Sequence, residues 1–436
     1  MRRSLFVCTV VAMLLLTTAI SLAGQFDWRK FEGTSIRVLL NRHIWQEAIE
    51  PLIPEFEALT GIKVVTEVYP EDQFRAKLAV EFAAGVANID VTMMMPQQEG
   101  PQWMHEDWIV YLDKFIADPA LTSPDYQPDD FLAAAWSAEL TTFRDPAIKP
   151  QLIGVPICIE NTALMYRKDI FAKYGLAVPK TMEELEEVCK VIKAKGEITP
   201  IVMRGRRAAA TSQWSAFMHS FGANWLHPDG SPAINTPEAV AAFEFYGRLL
   251  RLYGPPGAVG YHWYETTTDF SGGKAAMHIG PNNFFPSIYL DPSRSQVVET
   301  AGIAPLPAGP AGSRPIVGVW GLTIPYLSRN QDAAWYFIQW ATSLEVVRRL
   351  QMEDGIPGGR KSAWEDPEMP KYHQQELIDN VLESLETGSP LWNPPVIPIG
   401  EVRDIIGEVI VASIEGRDVQ AAADAAARRM AQVLDR

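Results

Sequence analysis

Cysteine is scarce in this chain, with three residues (Cys8, Cys158 and Cys189) in 436. No C-x-x-C pair and no Cys/His spacing typical of a metal site occurs, so the sequence predicts neither a metal nor a cofactor. Cys158 and Cys189 could pair in an oxidising compartment. Cys189, however, lies on the apolar stripe of a predicted helix, which favours two buried thiols over a disulfide.

Catalytic signatures are also missing. The chain has no G-x-S-x-G, no H-E-x-x-H and no cysteine–histidine pairing that indicates a nucleophile. The Gly272-Gly273-Lys274 run lacks the spacing of a phosphate-binding loop, and a strand rather than a helix is expected after it. The sequence therefore predicts that the protein is not an enzyme. A secreted glycosidase with paired carboxylates remains the rival hypothesis.

Positive charge is in short supply, with 38 Lys and Arg against 53 Asp and Glu and a formal net charge of −15. Such a protein is a poor candidate for binding nucleic acid or an anionic membrane surface.

Long apolar runs are missing too, except for residues 5–20. That run follows Arg2 and Arg3 and precedes Ser21-Leu22-Ala23. The pattern predicts a signal peptide over residues 1–23, cleaved near Ala23, and export to a periplasm. Cys8 lies inside the apolar run, so no lipid anchor is expected.

A chain of this length exceeds one ordinary core and predicts two domains. Between Ile36 and Met94, strand and helix patterns alternate with short connections, which indicates a parallel sheet with helices on both faces. Ligands of such sheets bind beyond the carboxyl ends of the strands. The polar runs at those places are Asn41-Arg42-His43 and Gln97-Gln98-Glu99, and the predicted ligand contacts among them are Asn41, Arg42, Gln97 and Gln98.

Residues 154–185 carry the most informative pattern in the sequence. Glu160, Asn161 and Thr162 interrupt an otherwise apolar strand pattern, and buried polar groups need partners or a ligand. Thr181, with Glu184 three residues later, predicts a capping box at the start of the following helix.

These segments resemble the family 1 extracellular solute-binding proteins of bacterial ABC importers, the maltose-binding-protein-like group. The likeness is carried by ALMYRKDIF (residues 163–171), by FSGGKAAMHIGP (270–281) and by GIPGGRKSAW (355–364). It implies an α/β, two-lobed periplasmic-binding-protein fold (type II), in which each lobe is a mostly parallel sheet flanked by helices and the ligand binds between the lobes. The implied N-terminal lobe is 24–158 plus 281–342, and the C-terminal lobe is 159–280 plus 343–436.

The resemblance also implies site residues. Glu160 stands at the position of a ligand-linked hinge glutamate, Trp320 at a common ligand contact, and Arg403 where maltose-binding relatives carry a stacking tryptophan. Asn282-Asn283-Phe284 replaces the tryptophan that usually follows Gly-Pro, which favours hydrogen bonding to hydroxyls over stacking on a pyranose. The complete set of predicted ligand-binding residues is Asn41, Arg42, Gln97, Gln98, Glu160, Asn161, Arg204, Trp214, Asn282, Asn283, Phe284, Trp320, Arg360 and Arg403.

The implied function is the capture of a sugar or sugar alcohol by hinge closure and its delivery to the transmembrane subunits of an ABC permease. The segment around Arg204-Gly205-Arg206-Arg207 resembles the branch that binds polyols or monosaccharides. We expect a monomer with no cofactor, no metal and no nucleic-acid partner. A secreted carbohydrate-active enzyme, a glycerophosphodiester-binding protein and a lectin-like or chemoreceptor module remain as alternatives.

Overall fold

The computed structural model describes residues 26–86, 88–140 and 150–435. The predicted signal peptide lies outside these residues. Among the described helices, none is long and apolar enough to cross a membrane.

Within the described residues, eight strands form one mixed sheet in the order β2-β1-β3-β8-β4-β6-β5, with β7 beside β4. The strands are β1 Ser35–Asn41, β2 Lys63–Tyr69, β3 Val91–Met94, β4 Val155–Arg167, β5 Thr199–Val202, β6 Ala275–Pro281, β7 Ala301–Pro305 and β8 Val317–Thr323.

The α-helices that flank the sheet are α1 Ile44–Ile49, α2 Ile53–Thr60, α3 Glu71–Ala83, α4 Gly100–His105, α5 Asp113–Ile116, α6 Ala133–Ala138, α7 Lys168–Tyr174, α8 Met182–Lys195, α9 Arg207–Ser220, α10 Pro237–Tyr253, α11 Trp263–Ser271, α12 Gln331–Ala341, α13 Leu344–Glu353, α14 Lys361–Trp364, α15 Met369–Tyr372, α16 Gln375–Thr387, α17 Ile399–Ile414 and α18 Val419–Leu434. Short 3₁₀ turns lie at Glu50–Leu52, Pro128–Asp130 and Ala258–Gly260, and a π-helical turn at Phe285–Tyr289.

Strand β4 joins the two lobes. Its first part, as far as Asn161, pairs with β8, and its second part, from Thr162, pairs with β6 and β7. The change of partners therefore falls at the polar interruption noted in the sequence. The predicted parallel pairing is present in β2-β1-β3 and in β5-β6, whereas every pairing of β4 is antiparallel, as is β3-β8. The sheet is mixed because β4 and β8 run against their neighbours.

One part of the predicted lobe division differs from the strand pairing. β7 lies within 281–342, the range predicted for the N-terminal lobe, but it pairs with the second part of β4. Ala308 also forms a bridge with Thr181, at the start of α8. In the strand pairing, β7 goes with the second part of β4 and β8 with the first part, and β4 changes partners after Asn161, three residues beyond the predicted boundary at residue 158. The lobe boundaries stay a prediction.

Local sequence features set several element boundaries. Pro51 and Pro54 divide the first helical stretch into α1, a 3₁₀ turn and α2, because proline cannot donate the helical hydrogen bond. The predicted capping box at Thr181 forms only in part: the Thr181 hydroxyl accepts the N–H of Glu184, but the Glu184 carboxylate accepts the N–H of Lys180 instead of that of Thr181. Cys158 and Cys189 are buried free thiols.

Helices α10 and α17 pack closely at Gly247. A Cβ atom there would lie 2.5 Å from the carbonyl carbon of Ser413, closer than van der Waals contact allows. Gly247→Ala is expected to lower the free energy of unfolding by about 2 kcal/mol through overpacking, measured by urea unfolding. Glu244→Ala, on the exposed face of the same helix, is the control and should change the free energy of unfolding by less than about 0.5 kcal/mol. Equal effects of the two variants would contradict this packing.

Candidate functional site

A cavity lies where β4 changes partners, between the two parts of the sheet. The space between its walls, counted together with the open solvent at its mouth, is about 690 Å³. Both lobes contribute side chains. The lining consists of His43, Ile44, Glu71, Met95, Gln98, Glu160, Asn161, Thr162, Arg204, Ser212, Gln213, Trp263, Gly280, Pro281, Phe284, Ile316, Gly318, Trp320, Trp392 and Arg403.

Glu160 is held by two donors. His43 Nδ1 accepts the N–H of Trp45 at 3.1 Å, so in the neutral ring the proton is on Nε2, which lies 2.9 Å from Glu160 Oε1. Asn283 Nδ2 donates to the same oxygen at 2.9 Å. The other carboxylate oxygen of Glu160 has no partner of this kind among the described residues. It can accept hydrogen bonds from a ligand.

The second lobe contributes two arginines. Arg403 Nη1 donates to Gln98 Oε1 at 3.0 Å and to Asn393 Oδ1 at 2.7 Å, and its Nη2 donates to the carbonyl of Ala208 at 2.8 Å. Burial lowers the pKa of Arg403 to about 9, and the positive charges of Arg75 and Arg204 act in the same direction. Arg204 Nη1 lies 3.4 Å from Ser212 Oγ.

Glu71 faces Arg204 from the first lobe, at the start of α3. Burial is the largest single influence and would raise its pKa. The charges of Arg75, His262 and Arg204, together with the hydrogen bond from Arg75 Nη2 at 3.1 Å, outweigh burial and lower the pKa of Glu71 to about 2. Arg75 also forms an ion pair with Glu99. Glu71 is therefore a carboxylate throughout the neutral range.

Aromatic rings supply apolar cover. Trp263 and Phe284 stack with their centroids 5.4 Å apart. Trp320 lies against the His43 ring at 5.3 Å, and the Arg75 guanidinium covers it at 5.4 Å. Rings of this kind pack against C–H surfaces while polar groups at their edges bind hydroxyls. The combination suits a small ligand with an apolar carbon skeleton and many polar substituents.

Direct contacts join the two walls. Arg206 Nη2 lies 2.8 Å from Asp72 Oδ2, and the backbone N–H of Glu71 donates to Tyr264 Oη at 3.3 Å. The bond between Arg403 and Gln98 also crosses from one lobe to the other. These contacts connect the two walls beside the cavity.

The structure brings half of the predicted site residues to the cavity. Those that line it are Gln98, Glu160, Asn161, Arg204, Phe284, Trp320 and Arg403. Two others lie directly behind its wall. Asn283 supports Glu160, and Asn282 Oδ1 accepts the N–H of Asn161 at 2.9 Å.

Five predicted residues do not line the cavity: Asn41, Arg42, Gln97, Trp214 and Arg360. Trp214 lies in the core of the second lobe, stacked on Phe243 with centroids 3.8 Å apart. Arg360 is fully buried, donates to the carbonyl of Thr342 at 2.9 Å and lies 3.9 Å over the Phe131 ring. Both side chains hold the fold together and cannot reach a ligand in the cavity.

Sequence reasoning missed other lining residues, among them His43, Glu71, Gln213, Trp263 and Trp392. The rule that ligands bind beyond strand ends points to Glu71, which follows β2 as Gln98 follows β3. Trp392 has a buried Nε1, and Asn161 has a buried Oδ1. Neither atom has a hydrogen-bond partner among the described residues, although both residues line the cavity.

His43, Cys158 and Glu160 place three possible metal-ligand atoms within 4.8 Å of one another. Burial and the nearby Glu160 charge raise the pKa of Cys158 well above its ordinary value, so the thiol keeps its proton. The Asn283 amide directs its Nδ2 toward both Cys158 Sγ and Glu160 Oε1. A hydrogen-bond network accounts for the cluster, and the absence of a metal stays a prediction.

The two-lobed mixed sheet and the polar, aromatic cavity between its parts define a binding protein of the periplasmic type. The chain belongs to the bacterial extracellular solute-binding proteins, and the sequence pattern of that family matches residues 44–347.

Three proteins similar to this chain differ in the ligand that their names or descriptions give. The erythritol/L-threitol-binding protein of Mycolicibacterium smegmatis is 28% identical over 78% of this chain and 72% of its own length. A Sinorhizobium fredii protein named "Probable amino-acid ABC transporter periplasmic-binding protein" is 25% identical over 95% of this chain and 93% of its own. The solute-binding protein of Agrobacterium radiobacter, solved with ribitol, superimposes with a TM-score of 0.82 at 26% identity and covers 91% of this chain and 98% of that one.

Proposed function

We propose that this protein is the periplasmic solute-binding component of an ABC importer and captures a sugar or sugar alcohol between its lobes. The observation that carries the proposal is the cavity itself. Glu160 and Arg204 offer hydrogen bonds to hydroxyl groups from opposite walls, and Trp320 and Phe284 cover carbon surfaces. Relatives that bind erythritol, L-threitol and ribitol support this ligand class.

Capture follows from the contacts on both walls. A ligand that touches Glu160 on one side and Arg204 on the other makes both contacts only when the lobes are closed, so binding favours the closed form. The closed form is then what the permease subunits recognise. The protein acts as a monomer without a cofactor, exported by the signal peptide over residues 1–23, and leaves its ligand chemically unchanged.

The test is a thermal-shift and calorimetric screen of the purified chain against alditols, monosaccharides and disaccharides. Glycerophosphodiesters and amino acids serve as rival ligand classes, the latter because of the Sinorhizobium relative. A ligand at a hundredfold excess over its Kd should stabilise the fold by roughly 2.7 kcal/mol. Tight binding of a rival class with no binding of sugars or alditols would overturn the proposal. Conversion of a bound sugar to product would favour the secreted enzyme.

The same assay tests the site. Glu160→Ala and Trp320→Ala should each weaken binding of the ligand found in the screen at least tenfold, about 1.4 kcal/mol, because one removes a hydrogen-bond acceptor and the other an aromatic wall. Tyr326→Ala is a matched control, since this aromatic side chain is 60% exposed and lies outside the cavity. Unchanged affinity in both cavity variants would remove this site assignment.

A further inference from the structure

The charged side chains that line the cavity differ in whether the protein gives them a partner of opposite charge. Glu71 has its counterion in Arg75, and Glu160 accepts hydrogen bonds from His43 and Asn283. Glu71 therefore has a counterion within the protein, and Glu160 has one carboxylate oxygen held by hydrogen bonds and the other free to accept from a ligand.

The second-lobe wall is different. Among the described residues, the Arg403 guanidinium donates hydrogen bonds to the neutral groups of Gln98, Asn393 and Ala208. The Arg204 guanidinium has only the hydroxyl of Ser212, at 3.4 Å. No carboxylate lies within ion-pair distance of either side chain in the part of the chain that the structure describes. Arg204 is nevertheless only partly exposed and Arg403 is buried.

A buried guanidinium without a counterion is costly, because desolvation is not offset by an opposite charge. Burial and the positive charges of Arg75 and Arg204 lower the pKa of Arg403 to about 9, although the carboxylates of Glu71 and Asp72 act in the opposite direction. Elsewhere the chain gives its partly buried arginines carboxylate partners. Arg248, for example, binds Glu186 through Nε and Nη2, both at 3.0 Å. Arg204 and Arg403 line the same cavity, and neither has a carboxylate partner of this kind among the described residues.

We propose that the preferred ligand is an acidic sugar derivative, a hydroxylated chain that ends in one carboxylate, bound with the carboxylate against Arg204 and Arg403. Planar guanidinium groups match a carboxylate through paired N–H donors. The hydroxylated end then lies toward Glu160 and Trp320, where the free carboxylate oxygen accepts from hydroxyls. This inference rests on the proposed function and names the ligand class within it.

The experiment compares matched pairs by isothermal titration calorimetry on the purified chain: ribitol with D-ribonate, and D-mannitol with D-mannonate. The aldonate of at least one pair should bind at least tenfold more tightly than its alditol, about 1.4 kcal/mol. Equal or tighter binding of both alditols would overturn this inference and leave the proposed function standing. Failure of alditols, aldonates and sugars alike would overturn both. D-Ribose 5-phosphate binding more tightly than both aldonates would replace the carboxylate by a phosphate group.

Arg204→Gln tests the assignment of the charge. This variant keeps the backbone carbonyl that accepts the Tyr246 hydroxyl, so the fold should survive, and circular dichroism and thermal unfolding check that it does. It should reduce aldonate affinity at least ten times more than alditol affinity. Arg248→Gln, which removes an equal charge from the surface of the same lobe, is the control and should leave the ratio unchanged. A ratio unchanged in Arg204→Gln as well would contradict the proposal.

Discussion

Trp214→Ala is expected to lower the free energy of unfolding by about 3–5 kcal/mol, the range for large aromatic-to-alanine changes in a core. The side chain is fully buried in α9 and stacks on Phe243 with an interplanar angle of 12°. Trp225 packs against it edge-on at 5.7 Å. Since neighbouring helices cannot collapse into the vacated space, the lost contacts and the remaining cavity both destabilise the protein. Urea unfolding at constant pH measures the change.

The matched control is Trp214→Phe, which keeps a ring on Phe243 and should be less destabilising than Trp214→Ala. Ligand affinity, measured well below the unfolding transition, should be within threefold of wild type in Trp214→Phe, because this residue does not line the cavity. The sequence predicts Trp214 as a ligand contact, whereas the structure places it in the core. A variant that folds as stably as wild type but no longer binds ligand would restore the role of ligand contact.

Much of the fold could be predicted because the signals are local. Proline positions divide the first helix, glycines in the left-handed conformation end α2 and α7 at Gly61 and Gly175, and strand–helix alternation predicts the parallel part of the sheet. The antiparallel pairings of β4 depend on contacts between distant segments. In particular, the pairing of β7 with β4 joins residues more than a hundred positions apart, and no periodicity within β7 reveals its partner.

The site was harder to predict for the same reason. Glu160 stands out because a carboxylate in an apolar strand needs partners, and the structure supplies them in His43 and Asn283. A tryptophan gives no such signal. Trp214 and Trp392 look alike in the sequence and both are buried in the structure, yet of the two only Trp392 lines the cavity. The packing of α9 against α10 and α17 places Trp214 in the core, and the segment before α17 brings Trp392 to the cavity.

Acidification is expected to destabilise the protein through His278, which lies on β6 beneath the cavity. Burial lowers its pKa from 6.5 to about 3, and the charge of Arg204 acts in the same direction. The folded state therefore resists a proton that the unfolded state accepts below pH 6.5, so stability is lost as the pH falls from 6.5 toward 3. Between about pH 7.5 and 4.5 this single group should contribute a loss of about 3 kcal/mol.

His278→Asn isolates this contribution. The asparagine amide can replace His278 Nδ1, which shares a hydrogen bond of 2.7 Å with Tyr289 Oη, but it cannot titrate. His262, with its pKa lowered to about 4 mainly by burial, titrates in the same direction, and the buried Glu139, whose pKa burial raises, acts in the opposite direction. Both groups are present in wild type and variant. The difference between the two unfolding curves, measured across this pH range, therefore reports the contribution of His278.

His105→Asn, at an exposed position, is the control and should follow the wild-type curve. If His278→Asn follows it too, the imidazole does not resist protonation in the folded state.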